Sequence, residues 1–517
     1  MLKHFVRAAL LGLRRQSIIP TFTKAPRKGG GTFVRGLSAG LLFGIASAGT
    51  CQSQCSAVAS TPQYASDCAA RAIPEDKITA INAAHSYSLA ELVDIAEQNN
   101  PTTRIAWERA KQRAESLGIA RSEYFPILAG IAAFGDSRQI NPFPAAIIPK
   151  GYSTVEAPFA QPGITLDYLL FDFGKREAKV DAAVAQKLAA GANFIQTNQD
   201  VAFRVATAYY NLVTDQERLQ AARETLTTAQ TTQDAAEFQL ANGRSTMPDV
   251  LNARAETAQA TFDLESAQGD EMVARVQLTE EIGVEPTPNI LIDAQQNTPL
   301  PQTLTLSIDE LIDRAIQWRP DLAEQAAEIR TANDEVRSAR ADYRPRITLS
   351  ASGGQTSLWP TSDSGPLGNA SQPTWAASVA VQWRILDGGA RKHALREAES
   401  KRREEQDKMI DLHDRTTREV WSAYIGFRTA AEKQRAAVAL LQSASTSYDA
   451  SLEAYKYGVR NLVDVVTAQR QLAQARLSSV AARSELFLGA VDLEFVTGNL
   501  LRSRPPATSS AQHEDTK

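Results

Sequence analysis

One long pattern occurs twice in this 517-residue chain, at fixed spacing. Tyr87-Ser88-Leu89-Ala90-Glu91-Leu92 returns as Leu306-Ser307-Ile308-Asp309-Glu310-Leu311, Asn100-Pro101 as Arg319-Pro320, and Tyr124-Phe125-Pro126 as Tyr343-Arg344-Pro345, all offset by 219 residues. Farther on the offset is 215. Phe171-Asp172-Phe173-Gly174 corresponds to Leu386-Asp387-Gly388-Gly389, Ala208-Tyr209 to Ala423-Tyr424, Gly243 to Gly458, Asp249-Val250 to Asp464-Val465, and Gly283 to Gly498. Each copy reads as helices, a strand-like region and two very long helices, so the unit is one large duplication and not a short solenoid repeat. The fold must have two equivalent halves: residues 87–285 and 305–500, joined by a linker at 286–304.

No apolar run reaches the roughly 18 residues of a membrane-spanning helix. The longest, Leu37 to Ala48, follows Arg27, Lys28 and Arg35 and ends in Ala46-Ser47-Ala48, which reads as a secretory signal over residues 1–48. Its basic stretch is long, leaving open a start nearer Arg35. The leader holds eight Lys or Arg and no acid, so the chain beyond it carries 47 basic and 59 acidic residues, a net charge of −12 against −4 for the whole. An acidic protein of this kind lacks the concentrated basic face that a nucleic-acid partner would need.

Residues 49–86 are small and polar, broken by Pro62 and Pro74, and read as a flexible periplasmic extension. All three cysteines, Cys51, Cys55 and Cys68, fall there. A disulfide among them suits an oxidising periplasm; lipid attachment at Cys51 is the other reading, although Ala48-Gly49-Thr50 departs from the Leu-Ala-Gly type of lipobox. Residues 501–517 read as a disordered tail.

Each copy opens on a capping box, Ser88 with Glu91 and Ser307 with Glu310, and Pro101 and Pro320 suit the first turn of a second helix. After Pro126 and Pro345 the pattern alternates. Ile347, Leu349 and Ala351 oppose Thr348, Ser350 and Ser352, and Trp375, Ala377, Val379, Val381, Trp383 and Ile385 form one face of a further strand. In the first copy Ile164, Leu166, Tyr168 and Leu170 alternate with Thr165, Asp167 and Leu169, with Ile127 to Phe134 as a weaker partner. Two strands per copy give four per chain. Half-apolar segments of about ten residues with terminal aromatics, such as Trp375 and Trp383, fit either a transmembrane barrel or an ordinary half-buried sheet. Four strands cannot close a water-filled barrel, so a barrel requires several chains.

The helices favour the barrel. Gly174 to Gly243 and Gly389 to Gly458 each span 69 steps without a proline, enough for a helix of about 100 Å. A thin apolar seam such as Val201, Val205, Ala208 and Leu212 suits coiled-coil packing, not a thick core. A glycine turn and a return helix follow in each copy, 246–282 and 461–497.

Together these features resemble the TolC family of outer-membrane efflux and secretion channels, over nearly everything from Tyr87 to Leu500. The most specific pieces are the junctions Leu169-Leu170-Phe171-Asp172-Phe173-Gly174-Lys175-Arg176 and Gln382-Trp383-Arg384-Ile385-Leu386-Asp387-Gly388-Gly389. The hairpin turns around Gly243 with Asp249-Val250 and around Gly458 with Asp464-Val465 add to them. The resemblance implies a mainly α fold with a transmembrane β-barrel: a homotrimer of a Gram-negative outer membrane, each chain giving four strands to a 12-stranded barrel and its hairpins to a periplasmic tunnel. It implies a passive duct, with no cofactor, serving a periplasmic adaptor and an inner-membrane ABC or proton-driven pump.

In such channels the periplasmic entrance is held shut by polar links near the hairpin tips. Carried over, Asp249, Tyr455 and Arg460 resemble the linking set and Asp464 a ring aspartate; three carboxylates around one axis would attract cations. The position three beyond Asp464 is Thr467, which departs from a two-tier acidic ring. Asp249 and Asp464 also suit helix N-termini, and Tyr455 also suits packing within its hairpin. Gly243 and Gly458 supply turns, and with Arg244 and Val459 they are the expected adaptor contacts. Asp172 and Asp387 read as helix caps. The five histidines, His4, His85, His393, His413 and His513, form no metal-binding or catalytic pattern, so no enzymatic activity is expected. The competing reading is a periplasmic structural or adaptor coiled-coil protein without a channel, which would carry one hairpin, not two.

Overall fold

The computed structural model describes residues 81–82, 84–293, 306–363 and 365–501. The leader, most of the extension with its cysteines, much of the linker and the tail beyond Leu501 lie outside the described residues. The first copy runs β1 (Ser86–Tyr87), α1 (Leu89–Asn99), α2 (Pro101–Ser122), β2 (Ile127–Pro142), β3 (Tyr152–Phe171), α3 (Lys175–Ala241) and α4 (Met247–Ile282). After β4 (Leu291–Ile292), the second runs α5 (Ile308–Trp318), α6 (Pro320–Ala341), β5 (Arg346–Leu358), β6 (Thr361–Ser362), β7 (Gly365–Pro366), β8 (Ala370–Gln382), α7 (Ala390–Lys456) and α8 (Leu462–Val496).

Local chemistry sets these boundaries. Both capping boxes form, and Pro101 and Pro320 begin α2 and α6, where a missing N–H costs nothing. Asp172 accepts from the backbone N–H of Gly174 and Arg176, and Asp387 from those of Gly389 and Arg391, at the starts of α3 and α7. Beside them Phe173 has φ 57°, the one non-glycine positive φ among the described residues, where the second copy has Gly388 at 63°. A side chain there costs about 1–2 kcal/mol. The ring is held by Phe171, 4.7 Å between centroids, and by the Arg344 guanidinium 5.6 Å above it.

The four long strands pair antiparallel in the order β2-β3-β5-β8. Their register places Leu128, Leu166, Ala351 and Ala377 in one cross-strand row and Gly130, Ile164, Gly353 and Trp375 in the next. The same face carries Leu349 and Val379. The opposite face has Asp167, Ser350 and Ser378 in one row and Thr165, Ser352 and Ala376 in another. The apolar rows from Ile347 to Gly353 span about 20 Å of strand.

Three details differ from the alternation in the sequence. β2 continues past Phe134 to Pro142, and β3 begins at Tyr152, because the two strands pair along their whole length across residues such as Asp136 and Glu156 whose polarity masks the period. β8 ends at Gln382, so Trp383 and Ile385 lie beyond the strand; the Trp383 indole N–H donates to the Tyr343 carbonyl at 3.1 Å instead. Ser86–Tyr87 and Leu291–Ile292 pair in parallel, so the ends of the expected extension and linker are structured. Tyr87 and Ile290 are anchored in the same core as Leu92, Val205 and Leu278.

α3 and α7 are 67 residues each, about 100 Å long. Val201, Val205 and Leu212 are fully buried and Ala208 packs beside them. Toward the sheet, Ala178, Ala182, Ala185 and Ala189 are the buried residues of α3, and small side chains there let α3 lie close to α6. Near the sheet the packing order is α2-α3-α6-α7; toward the hairpin turns it is α4-α3-α8-α7.

The ribbon of elements therefore has two open flanks. Among the described residues β2 pairs only with β3, and β8 only with β5. Ile119 on α2, Phe262 on α4 and Ile410 and Ile425 on α7, the helices at the ends of the row, are exposed. No described helix is long and apolar enough to cross a membrane.

Candidate functional site

Each long hairpin turns on a left-handed glycine. Gly243 (φ 68°) donates to the Leu240 carbonyl and Arg244 to that of Gln239, while Gly458 (φ 76°) donates to Tyr455 and Val459 to Ala454. These are the paired C-terminal bonds that close a helix on a glycine. Tyr457 and Val459 are about four-fifths exposed, and Arg244 and Arg460 are exposed without an ion-pair partner among the described residues.

The two copies then treat the same aspartate differently. Asp249 closes a capping box with Thr246: one carboxylate oxygen accepts from the Thr246 N–H (3.0 Å), its hydroxyl (2.6 Å) and the Ser245 hydroxyl (3.2 Å). The Thr246 hydroxyl, then its backbone N–H, hold this carboxyl below the ordinary carboxylate range. In the second copy the cap is Asn461, whose side chain accepts from the Asp464 N–H at 2.9 Å. The Asp464 carboxylate is partly buried and without a hydrogen-bond partner among the described residues.

Tyr455 is 5% exposed within the cluster of Ala236, Val250, Leu452, Leu462 and Val465. Its hydroxyl donates to the Ser245 hydroxyl at 3.4 Å, which in turn reaches Asp249. Of the linking set read from the sequence, Asp249 and Tyr455 thus meet through Ser245 across the two hairpins. Arg460 stands apart from them within the protomer.

Sequence reasoning missed the residues that fasten one hairpin to the other. Gln239, buried on α3, donates to the carbonyls of Tyr455 (3.4 Å) and Lys456 (2.8 Å), holding the end of α7. The Tyr448 hydroxyl meets Thr232 at 3.2 Å and donates to the Thr228 carbonyl. Arg470 pairs with Glu256, and Arg476 donates to the Thr228 hydroxyl at 3.1 Å. Each bond joins one copy to the other, and spacing within one copy carries no trace of it. Among the described residues no group of three or more His, Cys, Asp or Glu is placed to hold a metal ion.

A duplicated chain with a four-stranded antiparallel sheet, two helical hairpins about 100 Å long and a polar cluster at their turns has the fold of a barrel-and-tunnel channel protein. The sequence model of the outer membrane efflux protein family matches residues 92–284 and 311–499, and the chain belongs to that family. It is 26% identical over 419 residues to Protein CyaE of Bordetella pertussis, covering 80% of this chain and 85% of that protein. It is 27% identical over 402 residues to the solvent efflux pump outer membrane protein SrpC of Pseudomonas putida, covering 74% and 79%. Among solved structures, the outer membrane protein VceC of Vibrio cholerae superposes with a TM-score of 0.66 at 22% identity, over 79% of this chain and 96% of that one. A membrane protein from Pseudomonas aeruginosa gives 0.67 at 24% identity, over 79% and 93%. The protein is an outer-membrane efflux channel protein.

Proposed function

We propose that three copies close into a ring and form a passive export duct across the outer membrane and periplasm, gated at the hairpin tips. The observation that carries this is the pair of open flanks. β2 and β8 leave unpaired edges on opposite ends of one sheet, a long-edge arrangement that proteins otherwise cover or blunt. Pairing β8 of one copy with β2 of the next is a head-to-tail contact, which closes when the rotation permits. Three chains give 12 strands, enough for a water-filled lumen, where four are not.

In this reading Tyr455, Ser245 and Asp249 hold the two hairpins of a protomer together, and Arg460 reaches a neighbouring hairpin. Asp464 supplies the cation-attracting ring. Gly243, Arg244, Gly458 and Val459 present the surface for a periplasmic adaptor, which links the duct to an inner-membrane ABC or proton-driven pump. The duct does no chemistry of its own. Cysteine pairs placed across the flanks, one in β2 and one in β8, test the closure. Oxidation should yield a covalent three-chain species; a ladder ending at two chains, or no cross-link in the folded membrane form, would contradict it.

A further inference from the structure

At the base of the sheet, where strands give way to α3 and α7, a cleft of about 520 Å³ is lined from β2, β3, β5 and the end of β8. Of the strand residues that line it, all but Tyr168 lie on one face of the sheet, and helical residues such as Lys175, Lys179 and Ala341 complete the wall. Its lining includes Asp167, Ser350 and Gln382, members of the polar face, opposite the apolar rows. If the ring closes as proposed above, this cleft opens into the duct.

The charges in it are unevenly matched. Lys175 pairs with Asp342 and Lys179 with Glu123. Asp172 is taken up by the backbone at the start of α3, and Asp167 accepts from the Ser350 hydroxyl at 2.8 Å. Three arginines, Arg344, Arg346 and Arg384, have no carboxylate partner among the described residues. Arg346 donates to the Gln382 amide oxygen at 2.6 Å and Arg344 lies over the Phe173 ring, while Arg384 is exposed. Guanidinium groups free of carboxylates favour planar anions with two acceptor oxygens. Phe125, Ile127 and Pro345 add apolar wall, and the volume is that of a site for a drug-sized molecule.

The geometry points to a transit site for amphipathic organic anions in the wall of the duct, where Arg346 and Arg384 take a carboxylate or sulfonate and the apolar wall takes the rest. This deepens the duct reading by naming a cargo class it accommodates. The test is equilibrium binding to the full-length assembly in lipid nanodiscs, with anilinonaphthalene sulfonate as probe and N-phenylnaphthylamine, the same rings without the sulfonate, as control. The double variant Arg346→Gln, Arg384→Gln should weaken the sulfonate roughly tenfold and leave the neutral probe unchanged; Arg346→Lys with Arg384→Lys should restore part of the loss. Equal affinity of wild type and the Gln variant for the sulfonate, or an equal loss for both probes, would overturn the site. Binding is read without ion flow, so a failed duct and a failed site are separable.

Discussion

Replacing Val379 with arginine is expected to destabilise each subunit by about 2–4 kcal/mol, while arginine at the adjacent Ser378 changes stability little. The difference follows from register alone. Val379 pairs with Leu349, in the apolar rows that run through Ile164, Leu166 and Leu128; Ser378 pairs with Ser350, beside Asp167. A guanidinium among the first group sits in hydrocarbon, and among the second it meets water and a carboxylate. Denaturant unfolding of the protein in phospholipid vesicles measures both. Similar losses for the two variants would mean that the faces are not divided between lipid and lumen.

The second large effect is expected at the tips. Tyr455→Phe combined with Arg460→Glu should raise the conductance of the resting channel by about a hundredfold. Removing the hydroxyl breaks the link from Tyr455 through Ser245 to Asp249, and reversing Arg460 places a negative charge where the gate reading needs a positive one. If each subunit loses about 1 kcal/mol of closing energy and the three act together, the open-to-closed ratio moves by about that factor. The lost hydrogen bond alone is of that order. Single-channel recording shows the change directly, and an unchanged closed state would remove these two residues from the gate.

Much of the architecture was legible in the residues. Constant offsets gave the two halves, glycine-bounded proline-free stretches gave helices ending within a few residues of Lys175–Ala241 and Ala390–Lys456, and alternation located all four long strands. Less visible was the length of β2 and β3, because polar residues in their outer halves, such as Asp136, Arg138 and Glu156, interrupt the period of two. The end of β8 was also hidden: Trp383 continues the apolar alternation, but its indole finds the Tyr343 carbonyl and the chain leaves the sheet.

The tip was legible in part. Asp249 and Asp464 stand at equivalent positions, yet the identity of the preceding cap decides their chemistry. Thr246 needs Asp249 to complete its box, whereas Asn461 caps its helix through its own side chain and leaves Asp464 unengaged. Gln239 and Tyr448 were invisible because their partners lie in the other copy. Offsets within a duplication reveal which positions correspond, not which positions touch.

Conduction through a gate lined by Asp464 is open to direct measurement. Planar-bilayer recording of the purified full-length assembly is expected to show discrete cation-selective channels, and Asp464→Ala is expected to lower that selectivity and relieve block by multivalent cations. Well-folded assembly that passes no current, either as wild type or with Asp464→Ala, would rule out the duct.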